Sequence, residues 1–149
     1  MTLRDLLEAE LKAAEGLRLM VYDDATSSIL KPGKVIHGHP TIGYGRALDR
    51  KGITLAEAQI LLDNDIDETM NGAATFPWMG KLNLVRQMVI CSMVFQMGVN
   101  GVAGFHDMID AIERGDWEKA SEAMLDSDWA RIETPARAHR LAEKMKAGV

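Results

Sequence analysis

The chain has one cysteine, Cys91, so no internal disulfide can form. Its place in an apolar run marks it as a small buried residue, because a reactive thiolate needs an electropositive, accessible setting. Aromatic residues are scarce at 5%, and ten methionines take over part of the filling role, which suits irregular helical packing. There is no basic stripe, and the formal net charge is -5, which argues against a nucleic-acid partner. No run approaches the roughly 20 apolar residues of a membrane span. The longest candidate, Leu84 to Met97, is interrupted by Arg86, Gln87 and Gln96, so no stable membrane insertion is expected. The first segment, TLRDLLEAELK, carries charges every few residues where an export signal needs an unbroken apolar stretch. The expected starting compartment is therefore the cytoplasm.

What is present is enough for a real core: 47% of 149 residues are hydrophobic, fitting one domain or two small lobes that share a core. Leu3, Leu7, Leu11 and Ala14 recur at helical spacing, with a Thr2–Asp5 capping box before them and Gly16 as a stop. From Leu17 to about Leu48 the character changes. Val21-Tyr22, the KPGK turn at Lys31 to Lys34, Val35-Ile36 and Thr41 to Tyr44 favour short strands and turns. Thr54 and Glu57 open a long helix whose expected inner face is Ala58, Leu61, Leu62, Ile66, Met70 and Ala73. Leu84 to Met97 is apolar almost all round and reads as the central core helix, ended by Gly98. Helices follow around Phe105 to Ile112, stopped at Gly115, and after Asp116, with Trp117, Ala120 and Met124 inward. A last helix opens at Thr134-Pro135 and runs to about Met145.

Glu15 stands nine residues ahead of Asp24, and a glycine-spaced TIGYGR follows from Thr41 to Arg46. Cleaving an acetal requires one carboxyl that keeps its proton for the leaving oxygen, and a second that stays charged to steer a water or stabilise the cationic sugar. Glu15 falls in a last helical turn, where the negative end of the helix dipole disfavours further negative charge. Asp23 competes with Asp24 for the second role, since an Asp pair before a loop also serves turn chemistry. Gly43 and Gly45 lack the third glycine of a dinucleotide site. His37 and His39 lack the cysteine or spaced carboxylates of a metal site.

In order, EGLRLMVYDD, TIGYGRAL and MVFQMGVNGVAGF, followed by DWEKASEAML, Trp129 and TPARAHR, closely resemble the phage-type lysozymes of glycoside hydrolase family 24. The resemblance runs from the first helix to about Leu141. It implies that Glu15 is the general acid, that Asp24 orients the attacking water because the E-x8-D spacing is kept, and that Thr41 helps hold that water. It likens Phe95, with Gln96 beside it, to the aromatic contacting saccharide, and Arg137 to an arginine neighbouring the catalytic glutamate. The implied fold is α+β and lysozyme-like. It has a small sheet lobe (about 17–50), a connecting helix (about 54–74), and a helical lobe (about 75–149, with the N-terminal helix 2–15 added). The implied activity is inverting hydrolysis of the β-1,4 bond between N-acetylmuramic acid and N-acetylglucosamine in peptidoglycan, by a monomer, for host-cell lysis. No metal or organic cofactor is required. With no export signal, access to the wall would depend on a membrane lesion, and the resemblance suggests a separately encoded holin.

Several positions depart from the family pattern. TSSILKPGKVIHGHP lies between Asp24 and Thr41 where a short connection is common, implying an extended hairpin. Arg46 stands where a histidine usually follows. Ala47, Met108 and Ala123 replace larger or polar saccharide contacts. The net negative charge removes the electrostatic steering towards an anionic wall that basic relatives enjoy. The alternatives are a lytic transglycosylase, which would not need Asp24, and a catalytically inactive wall-binding phage component.

Overall fold

The computed structural model describes all residues, 1–149. The chain is α+β and divides into two compact units, Met1–Gln59 and Ile60–Val149.

The first unit opens with α1 (Leu3–Glu15). The Thr2 hydroxyl accepts from the Asp5 amide at 3.2 Å and the Asp5 carboxylate accepts from the Thr2 amide at 2.6 Å, the reciprocal box read from the sequence. Gly16 ends the helix. No residue of α1 is buried, and Leu7 and Leu11 line a shallow depression with Tyr44. The helix belongs to the unit that holds the strands, whereas the sequence reading grouped residues 2–15 with the helical lobe.

Three antiparallel strands follow in the order β1 (Arg18–Asp23), β2 (Pro40–Gly43), β3 (Arg46–Ala47). Tyr22 pairs with Thr41 and Thr41 with Ala47, and an irregularity in β1 shifts the register between Arg18 and Tyr22. The long connection between Asp24 and Thr41 joins β1 and β2 as a hairpin, with Asp23 opposite Pro40, but contains no further named strand. Ser28 to Leu30 fold back along β1, with the Asp23 amide donating to Ser28 O and the Leu30 amide to Val21 O. The KPGK turn closes through the Lys34 amide to Lys31 O at 3.1 Å. Val35 and Ile36 join no strand, because their exposed side chains have no apolar face to bury against. A short helix α2 (Leu48–Lys51) precedes α3 (Leu55–Ala73), which begins in the first unit and ends in the second. The Thr54–Glu57 box at its start is formed.

In the second unit α4 (Leu84–Ala103) is the core helix, burying Val89, Ile90, Met93, Val94 and Val102. As expected from the sequence, its long first part ends at Gly98. That residue has φ 73° and breaks the helix locally, after which the chain resumes helix to Ala103. Asn83 caps α4 by accepting from the Arg86 amide at 3.0 Å. Around α4 lie α5 (His106–Arg114), α6 (Trp117–Leu125) and α7 (Pro135–Ala147), with a single π-helical stretch, Trp129–Glu133, that the sequence reading did not anticipate. Met93, Met108, Met124 and Met145 are all fully buried, so methionine does fill the core that aromatics leave short. Thr134 precedes α7 but gives no side-chain cap; its hydroxyl is buried without a partner. Cys91 is only partly buried, and desolvation raises its thiol pKa, which disfavours the thiolate form.

Of the face expected on α3, Ala73 alone is buried. Leu62, Ile66 and Met70 instead line an open groove of about 500 Å³ with Leu84, Met88 and Phe95 of α4. No single helix is long and apolar enough to cross a membrane.

Candidate active site

Asp23 and Thr41 are the only buried residues of the first unit, and both are polar. The centre of this unit is therefore a hydrogen-bond network, and the network separates the two adjacent aspartates. Asp23 Oδ1 accepts from the Ala25 amide at 3.0 Å and the Gly38 amide at 2.9 Å, and Oδ2 from the His37 amide at 2.7 Å. Those backbone donors, His37 foremost, hold its carboxyl below the ordinary range although burial acts the other way. With three backbone donors and 1% exposure, the carboxylate is closed to solvent. Asp23 is the post around which the loop closes.

Asp24 is exposed. Its Oδ1 accepts from the His39 amide at 2.6 Å, and its own amide donates to His39 O at 3.1 Å. Oδ2 has no protein partner, so this is the carboxylate with capacity to take a proton from water. Gly38 is required beneath it: a Cβ there would collide with Asp24 Oδ1 and lie 2.8 Å from the Ala25 amide nitrogen. Thr41, on β2 and 3% exposed, donates its hydroxyl proton to His39 O at 3.0 Å. Its oxygen lone pairs remain for an incoming donor.

Glu15 ends α1 with its carboxyl against the turn between β2 and β3. Gly45 in that turn has φ 70°, and a Cβ built on it would lie 2.5 Å from Glu15 Oε2 and 2.9 Å from Cδ. Both the backbone conformation and the close approach demand glycine. Gly45→Ala should destabilise the fold by about 1 kcal/mol or more. In the acid role that the resemblance implies for Glu15, turnover should also fall by roughly tenfold, since displacing a reacting group by about 1 Å is costly. Denaturant unfolding and initial wall-lysis rates measure the two effects; unchanged rates would show that Glu15 does not depend on this turn.

Glu15, Asp24 and Thr41 are thus all attached to one short stretch, His39 to Gly45. The remaining predicted residues lie in the second unit. Phe95 on α4 is 47% exposed, and with Arg137 of α7 it lines the groove described above. Gln96 directs its side-chain oxygen to the Trp129 indole at 3.0 Å, and Arg137 donates to Ser92 Oγ at 2.9 Å. Met108 is wholly buried in the core and presents nothing to a ligand. Where a histidine was expected, Arg46 donates to Gly52 O at 2.8 Å and pairs with Glu57 at 2.9 Å, tying β3 to the start of α3.

Sequence reasoning weighed His39 only as a metal ligand and passed over its contact with Asp49. His39 and Asp49 are joined through His39 Nδ1 and Asp49 Oδ2 at 2.6 Å. The available signal was His39-Pro40 directly before Thr41, a dipeptide that restricts the backbone of residue 39 to extended conformations.

A small antiparallel sheet, a mostly helical remainder, and a glutamate at a helix end against the glycine-rich turn that follows the threonine-bearing strand are the features of a lysozyme-like protein. The match of residues 12–143 to the phage lysozyme family shows that this chain belongs to it. It is 32% identical over a 160-residue alignment to the pre-baseplate central spike protein Gp5 of Enterobacteria phage T4, covering 88% of this chain and 26% of that protein. It is also 32% identical over 114 residues to probable T4-type lysozyme 1 of Dictyostelium discoideum, covering 72% of this chain and 66% of that one. For probable T4-type lysozyme 2 of the same organism the identity is 28% over 122 residues, with 77% and 70% covered. The chain therefore spans about a quarter of the spike protein and about two thirds of the first of these lysozymes.

Proposed function

We propose that this chain is a muramidase that hydrolyses the β-1,4 bond between N-acetylmuramic acid and N-acetylglucosamine in peptidoglycan, with inversion. The observation that carries the reading is the sharing of His39 by Asp24 and Thr41 on the hairpin whose turn abuts Glu15. In the reaction Glu15 gives its proton to the glycosidic oxygen, which leaves as a hydroxyl when the bond to the anomeric carbon breaks. A water donates one hydrogen to Asp24 Oδ2 and another to Thr41 Oγ1, which leaves its lone pair to form the new bond to that carbon. Asp24 keeps the proton that water loses. Because the water must fit between the carboxylate and the sugar, inversion calls for carboxyls about 6.5–9.5 Å apart. The chemistry needs no cofactor, because an acid and an activated water suffice.

Likeness to a spike protein of a phage particle supports a second reading, a wall-binding phage component without turnover. The presence of Glu15, Asp24 and Thr41 together favours the enzyme. In the enzyme reading the chain acts on the wall of the host cell once its membrane has been permeabilised by a separate agent such as a holin.

Digestion of purified peptidoglycan, followed by identification of the product ends, tests the reading. New reducing ends in the anomeric form opposite to the substrate's are expected. Anhydro ends would point to a transglycosylase, and intact glycan with retained wall binding to the inactive component.

A further inference from the structure

We propose that His39, held by Asp49, is the positioning residue that sets Asp24 and Thr41 at their working separation; this rests on the muramidase reading. Three hydrogen bonds converge on the backbone of residue 39. Its amide donates to Asp24 Oδ1, and its carbonyl accepts from both the Asp24 amide and the Thr41 hydroxyl. A shift of this one peptide moves both groups that would handle the water. Two features restrain it. Pro40 follows directly and keeps residue 39 extended, and the imidazole is tied to Asp49 at 2.6 Å.

Asp49 lies in the first turn of α2, the short helix directly after β3. The His39 hydrogen bond, its largest influence, lowers the Asp49 carboxyl below its ordinary range, so the carboxylate is the acceptor and Nδ1 carries the proton. The pair is partly exposed, with side chains 32% and 42% accessible. Simple stability is a weak explanation for an ion pair in that setting. Its place explains it better: α2 contributes no buried residue, yet through Asp49 it holds the residue to which Asp24 and Thr41 are both bonded. Neither His39 nor Asp49 touches the reacting atoms in this scheme.

Initial rates over a range of purified peptidoglycan concentrations, for wild type and variants, test the proposal. His39→Leu and Asp49→Ala should each lower kcat by roughly tenfold to a hundredfold while KM stays within about twofold, the pattern of a misplaced reacting group. His39→Asn places an amide near the former Nδ1 and should recover to within about threefold of wild type, as should Asp49→Asn, which keeps an acceptor. The double variant His39→Leu/Asp49→Ala should be no slower than the slower single one, because the two side chains act as one tie. Full kcat in His39→Leu, a change confined to KM, no recovery with Asn, or multiplying losses in the double variant would each overturn the proposal. Should His39→Leu fail to fold by circular dichroism, Asp49→Ala and Asp49→Asn decide the matter. A wild type that releases no reducing ends removes the muramidase reading and this inference with it. An active wild type matched by an equally active Asp49→Ala removes the inference alone.

Discussion

Glu15→Gln should lower kcat for wall lysis by a factor on the order of 10²–10⁴, the usual worth of a positioned general acid. The amide is nearly isosteric, so it fits against Gly45 as the carboxyl does. It has no acidic proton for the leaving oxygen, which must then depart as an alkoxide. KM should change little, because the lost interaction develops only as the bond breaks. No residue of α1 is buried, so the melting temperature should stay near that of wild type. Turbidity loss of permeabilised Gram-negative cells, run beside thermal melts, measures both quantities. Retained lysis in the variant would take Glu15 out of the reaction and leave Asp24 without an acid partner.

Asp23→Ala should be as damaging by a different route. Removing this carboxylate leaves the Ala25, His37 and Gly38 amides without their acceptor in the centre of the first unit. The loop then loses the post that returns it to His39, and Asp24 and Thr41 lose their common partner. Turnover should fall by about a hundredfold or more, and unlike Glu15→Gln the variant should melt at a lower temperature. The pH dependence follows from the direction of the shift. Asp23 has a folded-state pKa depressed below its ordinary value of 3.8. Its contribution to stability is therefore fully present above the unfolded-state pKa and is lost as pH falls through the lower folded-state one. The gap in melting temperature between wild type and Asp23→Ala should be constant above about pH 5 and close as the solution becomes strongly acid. Asp24→Asn supplies the contrast, losing activity with little change in melting temperature. A pH-independent gap would mean that Asp23 acts through packing and not through its charge.

These variants bear on how differently the two adjacent aspartates could be judged from the chain alone. Spacing from Glu15 selected Asp24 for the water, but the physical ground for setting Asp23 aside lies 14 and 15 residues away, in the His37 and Gly38 amides. His37 and His39 invited a metal reading because two histidines flank a glycine. In the structure their backbone amides serve two different carboxylates, His37 that of Asp23 and His39 that of Asp24. The amphipathic stripes on α1 and α3 were legible as stripes. That Leu7 and Leu11 of the first and Leu62, Ile66 and Met70 of the second line open grooves and depressions was not, because periodicity records which face is apolar and not what covers it.

By itself the sequence determined what is settled within a few residues: the capping boxes at Thr2 and Thr54, the stops at Gly16 and Gly115, and the Asp116 cap. Each of these is a hydrogen bond or backbone preference completed inside one turn of chain. Tertiary structure alone decided the burial of Asp23, the helix resuming past Gly98, the unpaired Thr134 hydroxyl and the tie from Asp49 to His39. Those outcomes depend on how a long loop closes and how helices pack, where the partner is chosen by proximity in space and carries no fixed offset along the chain.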